Sequence, residues 1–326
     1  MDESKFYAYC LQGDVTSAYE YLRSVPDKNK KYQLLETKYE RRFFKTDKPV
    51  YRFKSEDSWI RKVLLNYYQY FTFVLTGRDF EEAEKQLITG LKTVIPIQTD
   101  NLDVIEDMLE GLFEEKGYEF QGGVTPPFRG PYIWKTTEKK EFTVELPHHI
   151  QPVTVYFLSD FLMLGWLHFA TYGEKYAGGW AKSDGLYYVA ERTKKKSMNL
   201  YSPEFQVSYL KHEAQHLSDY SRYPNLTSKD LEYRAKLIEL IYELKSHRLI
   251  KKFFYEQKND PRLPHPYSSF CIMKRLSECL LSDNESPSLR DWKQVSSELI
   301  RHHARELFEE HTEQLDEKGE EVVGVI

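Results

Sequence analysis

Apolar positions along the chain follow two periods, and the texture changes near Gly117. Upstream the period is helical. Ile60, Val63, Leu64, Tyr67, Tyr68, Phe71 and Val74 recur every three or four residues, which predicts a buried central helix from Trp59 to Leu75. Residues 1–115 read throughout as an all-helical domain. Between Tyr118 and Gly130, Gly122-Gly123 and Pro126-Pro127 punctuate the chain. Beyond them Tyr132-Ile133-Trp134 and residues 141–146 alternate as strands do. Pro152 to Leu158 is a compact β-branched run and reads as a buried strand; Asp160 to Ala170 reads as a helix. Asp184-Gly185 ahead of Tyr187-Tyr188-Val189 is a hairpin signal.

The helical period returns at Phe205, Tyr209, Leu210, Ala214, Leu217 and Tyr220. Tyr223-Pro224-Asn225 marks a turn, and Thr227-Ser228-Lys229-Asp230 reads as a capping box before a second helix. That helix is expected to run through Leu237, Ile238, Leu240 and Leu244 to Leu249. Pro264 and Pro266 interrupt, and helices resume near Ser269 and from Ser288 to His311. His302, His303 and His311 are expected on the surface of the charged last helix, and the acidic tail from Leu315 is expected to fray. Lys194-Lys195-Lys196 reads as a solvated turn. The fold class expected is α+β: a helical domain over residues 1–115, then a mixed domain over 116–326. Residues 116–200 form the strand-rich upper part and 201–326 the helical part.

Composition narrows the classes. A net charge of -5 and a pI near 6.1 offer no electrostatic case for a nucleic-acid partner. Aromatic residues make up 15% of the chain, a supply of core residues that argues against disorder. Cys10, Cys271 and Cys279 contain no C-x-x-C pair, so neither a disulfide framework nor a thiolate metal site is implied. The residues from Met1 to Phe6 lack a signal-peptide pattern. The longest apolar run, Val153 to Ala170, is interrupted by Ser159-Asp160 and His168, which argues against a membrane span. A soluble, cytoplasmic protein is the expectation.

The chemistry gathers at His212-Glu213-Ala214-Gln215-His216. On a helix the two histidines stand one turn apart on one face and can hold one metal ion. Glu213 is displaced around the helix, in reach of a water on that ion, where a carboxylate serves as general base. Sixteen residues after His216 comes Glu232, in the first turns of the second helix, where it can face back to the histidines. Two His and one Glu leave a fourth zinc position open. Asp219 lies on the ligand face, placed to receive the free ring N–H of a ligand histidine.

This pattern, a histidine pair with an intervening glutamate and a ligand glutamate on the next helix, resembles the gluzincin type of zinc metallopeptidase over roughly residues 150–245. Glu232 followed three residues later by Ala235 resembles the glutamate helix of that group. The resemblance implies one Zn(2+) per chain held by His212, His216 and Glu232, with Glu239 the alternative third ligand, and Glu213 as base. It implies a peptide or protein substrate paired to an edge strand, for which Gly178, Gly179 and Trp180 are candidates. It also implies an oxyanion donor beyond the ligand helix, for which His265 and Tyr267 are candidates. The competing reading is a non-catalytic interaction protein with a zincin-like domain, its partner docking on residues 1–115.

Overall fold

The computed structural model describes residues 2–45, 51–190, 199–281 and 287–326. The Lys194-Lys195-Lys196 segment lies outside them. Short oxygen-bearing side chains start the first helices by accepting otherwise unpaired backbone N–H groups. Asp2 caps α1 (Glu3–Leu11), Asp14 caps α2 (Val15–Ser24) and Asn29 caps α3 (Lys30–Tyr39), which continues into a π-helical turn at Glu40–Phe44. Asp57 caps α4 (Ser58–Leu75), Asp79 caps α5 (Phe80–Lys92) and Asn101 caps α6 (Leu102–Glu114). The α4 stripe of Ile60, Val63, Leu64, Tyr67, Phe71 and Val74 is buried, as its spacing predicts.

Strands follow: β1 (Glu119–Gln121), β2 (Val124–Thr125), β3 (Phe128–Arg129), β4 (Tyr132–Trp134), β5 (Thr136–Glu145), β6 (Ile150–Ser159) and β7 (Met163–Leu164). α7 (Gly165–Ala170), β8 (Gly179–Lys182) and β9 (Gly185–Val189) complete the strand-rich stretch. The helix expected from Asp160 is confined to α7, because Asp160 adopts a positive φ (60°) that a right-handed helix excludes and Met163–Leu164 pair as β7 with β4.

The chain divides into two compact units: Met1–Thr136 with Ser159–Ala177, and Thr137–Leu158 with Gly178–Ile326. The boundary expected at residue 115 is therefore displaced. Phe120, Ile133, Met163, Trp166 and Phe169 share one core with α4 and α6. Glu106 of α6 ties the following segment down, accepting from Tyr67 Oη (2.9 Å), Gly123 N (2.6 Å) and Arg129 Nη1 (2.5 Å). The strands 116–200 accordingly split between the units rather than forming one upper half.

In the second unit the sheet order is β5-β6-β9-β8. β6 and β9 run parallel, with Val155 opposite Leu186; β8 pairs antiparallel on β9, with Trp180 opposite Tyr187, and is an edge strand. The remaining elements are helical: α8 (Pro203–Phe205), a π-helical stretch at Gln206–Lys211, α9 (His212–Arg222), α10 (Ser228–Tyr242), α11 (His247–Glu256), α12 (Pro264–Leu280), α13 (Leu289–Trp292) and α14 (Ser297–Lys318). The expected run to Leu249 is thus two helices, broken after Tyr242. The Thr227 hydroxyl donates to Asp230 Oδ2 (2.5 Å) instead of accepting a backbone N–H, so the capping box is not closed.

Two expectations at the C-terminal end are corrected. The tail is tied down: Val325 N and Ile326 N donate to Asp230 Oδ1 (2.8 and 3.1 Å), and Thr227 N donates to the Val323 carbonyl (2.8 Å). His311 is buried, its Nε2 beside Asp230 (3.3 Å) and its ring against Tyr233. Among the described residues no helix is long and apolar enough to cross a membrane.

α10 packs against α9, α12 and α14 and carries charged side chains into the interior. Lys236, only 1% exposed, donates to Glu256, Ser269 Oγ (2.6 Å) and the His265 carbonyl (2.7 Å). Burial disfavours ionised Glu256, but the attraction of Lys236 and Lys252 overcomes this and lowers its pKa. A lowered folded pKa stabilises the fold above the unfolded value of 4.5, and that contribution is lost as pH falls from there through the folded value. Glu256→Gln is expected to cost about 3–5 kcal/mol at neutral pH by orphaning Lys236. Its stability should also decline less steeply than wild type below pH 4.5. Urea titrations of both proteins across that window check both statements.

Candidate metal centre

The site is built by two helices. His212 and His216, four residues apart on α9, direct their Nε2 atoms to one point, 3.2 Å from each other. Glu232, in the second turn of α10, places Oε2 3.6 Å from His212 Nε2 and Oε1 3.5 Å from His216 Nε2. These ligand atoms lie within 4.8 Å of one another, the one such His, Cys, Asp and Glu group among the described residues. Both histidines are buried, and the Glu232 side chain is 12% exposed.

The donor set fits a tetrahedral zinc ion. Two nitrogens bound to one such ion stand about 3.3 Å apart, close to the spacing of the imidazoles. His212 Nδ1 lies 2.9 Å from Glu239 Oε1, which accepts its N–H and leaves a lone pair on Nε2 facing the cluster. His216 Nδ1 is buried without a hydrogen-bond partner among the described residues.

The charges reinforce this geometry. Burial works against ionisation of Glu232, but the charges and hydrogen bonds of His265, His216 and His212 hold its carboxyl well below the usual range. Burial also works against an imidazolium at His216, and the bond and charge of Glu232 outweigh it, raising the pKa to about 9. Glu239 is buried too, yet Lys252 and the bond to His212 bring it to about 2. The cluster is thus a largely buried carboxylate matched by the His216 imidazole, which retains its second proton at neutral pH. A metal ion would take that proton's place.

Glu213 is half-buried next to the ligand pair, and its charge acts on His216, Tyr209 and Tyr220. His265 joins the cluster, with Nδ1 2.7 Å from Glu232 Oε2 and its side chain 60% exposed. It stands in the first turn of α12 and not in a proline-bounded loop, because Pro264 occupies the first helical turn, where its missing N–H costs nothing. Tyr267 does not join. Two residues further round the helix, its ring stacks on Phe270 (centroids 6.2 Å apart) under Lys229.

Asp219 is also reassigned. It accepts from Arg234 Nε at both oxygens (3.0 Å each) and from Gln215 Nε2 (2.8 Å). It therefore braces α9 to α10. The carboxylate on the ligand histidine is Glu239, whose sequence signal is its position two turns after Glu232 on one helix face. Tyr220, four residues after His216, stacks on its ring (6.3 Å, 26°), a contact that spacing alone would reveal.

β8 packs against α9. The Val189 N–H donates to the Gly178 carbonyl (2.9 Å). By the alternation of antiparallel pairs, the backbone N–H and C=O of Gly179 and Ala181 therefore point to the open side of the edge strand. Gly179 has its own structural reason. A Cβ there would lie 2.2 Å from Tyr209 Cε2 and from the Tyr187 carbonyl oxygen. Trp180 stacks flat on Tyr187 (5.7 Å, 6°).

No family model, curated protein or solved structure matches this chain. Zinc titration with elemental analysis is expected to give about one ion per chain in the wild type and none in His212→Ala. Glu239→Gln should bind zinc about 10- to 100-fold more weakly with unchanged stoichiometry. Asp219→Asn should lose stability and leave zinc affinity unchanged. Equal loss of affinity in both variants would contradict the separate roles given to these carboxylates.

Proposed function

We propose that the second unit is a zinc-dependent hydrolase of the gluzincin type that acts on peptide bonds. One observation carries the reading: His212, His216 and Glu232 converge on a single point, with Glu213 on the same helix and Glu239 behind His212. When bound, zinc supplies Lewis acidity toward water and an amide carbonyl. The residues do the rest. Glu239 holds His212 in the tautomer that presents Nε2. Glu213 accepts the proton of the attacking water and returns it to the leaving nitrogen. His265, exposed beside Glu232, is the candidate donor to the developing oxyanion. The outward backbone groups of Gly179 and Ala181 suit an extended peptide added as a further strand beside α9.

Glu213→Gln is nearly isosteric and removes only the base. It is expected to keep zinc and lower peptide hydrolysis by about 10²–10⁴-fold. The assay is mass spectrometry of new termini in a mixed peptide digest incubated with zinc-loaded protein. Cleavage undiminished in Glu213→Gln would overturn Glu213 as base. Zinc uptake without cleavage in either protein would overturn the peptidase reading and leave a metal-holding unit.

A further inference from the structure

A cavity of about 300 Å³ lies within the first unit, between α4 and α5, and is independent of the metal centre. Its wall includes Arg42 from the π-helical turn, Tyr51, Gln69 and Thr72, Arg78 from the α4–α5 connection, and Gln86. Arg42 and Arg78 both line it, and no acidic residue is among its described lining residues. In a chain with net charge -5, a cavity whose charged residues, among those described, are both cations runs against the overall composition.

Arg42 sharpens the point. Nη1 donates to the Phe169 carbonyl (2.7 Å), and the guanidinium lies over the rings of Tyr172 and Phe169 (3.5 and 4.5 Å to the centroids). Nε is buried with no hydrogen-bond partner among the described residues. The buried Arg129, Arg234 and Lys236 are matched by carboxylates: Arg129 by Glu106 and Asp103, Arg234 by Asp219, and Lys236 by Glu256. Among the described residues neither Arg42 nor Arg78 has such a partner. Burial lowers the Arg42 pKa despite the opposing pull of Tyr172 and Tyr68. Withdrawing a cation from water without a counter-charge is costly, and an anion entering the cavity relieves that cost.

We propose that this cavity binds a small anion bearing a carboxylate or phosphate group, held by Arg42 on the buried side and Arg78 on the solvent side. Guanidinium groups suit both chemistries because their N–H donors match paired oxygens. The Tyr51 and Thr72 hydroxyls, 3.0 Å apart, and the Gln69 and Gln86 amides add neutral polar contacts to the wall.

The test is isothermal titration of the full chain with inorganic phosphate, with succinate, and with glycerol as an uncharged control. Saturable one-site binding of an anion and none of glycerol is expected, and the anion that binds identifies the group recognised. Arg78 is exposed, so Arg78→Gln should leave the circular dichroism unchanged while weakening that binding by about tenfold or more. Arg42→Lys should weaken it as well by losing the fork; if that variant fails to fold, Arg78→Gln decides. No saturable binding of either anion up to about 10 mM would overturn the proposal. So would an affinity that survives Arg78→Gln, since the anion would then be bound elsewhere.

Discussion

A helix enclosed by its neighbours must find a partner for every charge it carries inward, and α10 carries charge at Asp230, Glu232, Arg234, Lys236 and Glu239. Each is met by a partner from outside α10. Asp230 takes the tail and His311; Glu232 takes the histidines of α9 and His265 of α12. Arg234 takes Asp219; Lys236 takes Glu256 of α11; Glu239 takes His212. Apolar packing alone tolerates small slips between helices, but these pairs do not, because each slip strands a buried charge. The placement of α9, α11, α12 and α14 around α10 follows from this requirement.

The candidate metal centre is one member of that set, and the others position it. Lys236 holds the His265 carbonyl, which fixes the first turn of α12 where the imidazole reaches Glu232. Asp219, held at both oxygens by Arg234, braces α9 against α10. In the π-helical stretch just before α9, Tyr209 fills the space that a side chain at position 179 would need.

The parts legible in the sequence are those set by local periodicity. The α4 stripe, the strands at Tyr132–Trp134 and Ile150–Ser159, and the convergence of His212 and His216 each depend on residues a few positions apart. Glu232 was readable because one turn and one helix start separate it from His216. What escaped depended on how distant elements dock. Asp219 and Glu239 are both carboxylates on suitable faces, and only the packing of α10 decides which meets the histidine and which meets Arg234. His311 looks like a surface residue in a charged helix until Asp230 and Arg234 are brought beside it. Tyr267 is close to His265 in sequence, yet the helix carries it round to another face.

The chain passes between its two units at residues 136, 158 and 177, so neither unit is a contiguous segment. During synthesis the first core cannot close when its last long helix emerges. It waits for Met163, Trp166 and Phe169, which follow only after the β5–β6 part of the other unit has been made. Until then the aromatic face of α4 has no cover on that side, and the nascent chain is exposed to association with other apolar surfaces. For the same reason a cut at residue 115 would divide a core and not a linker, and the helical third of this protein is not a self-contained module.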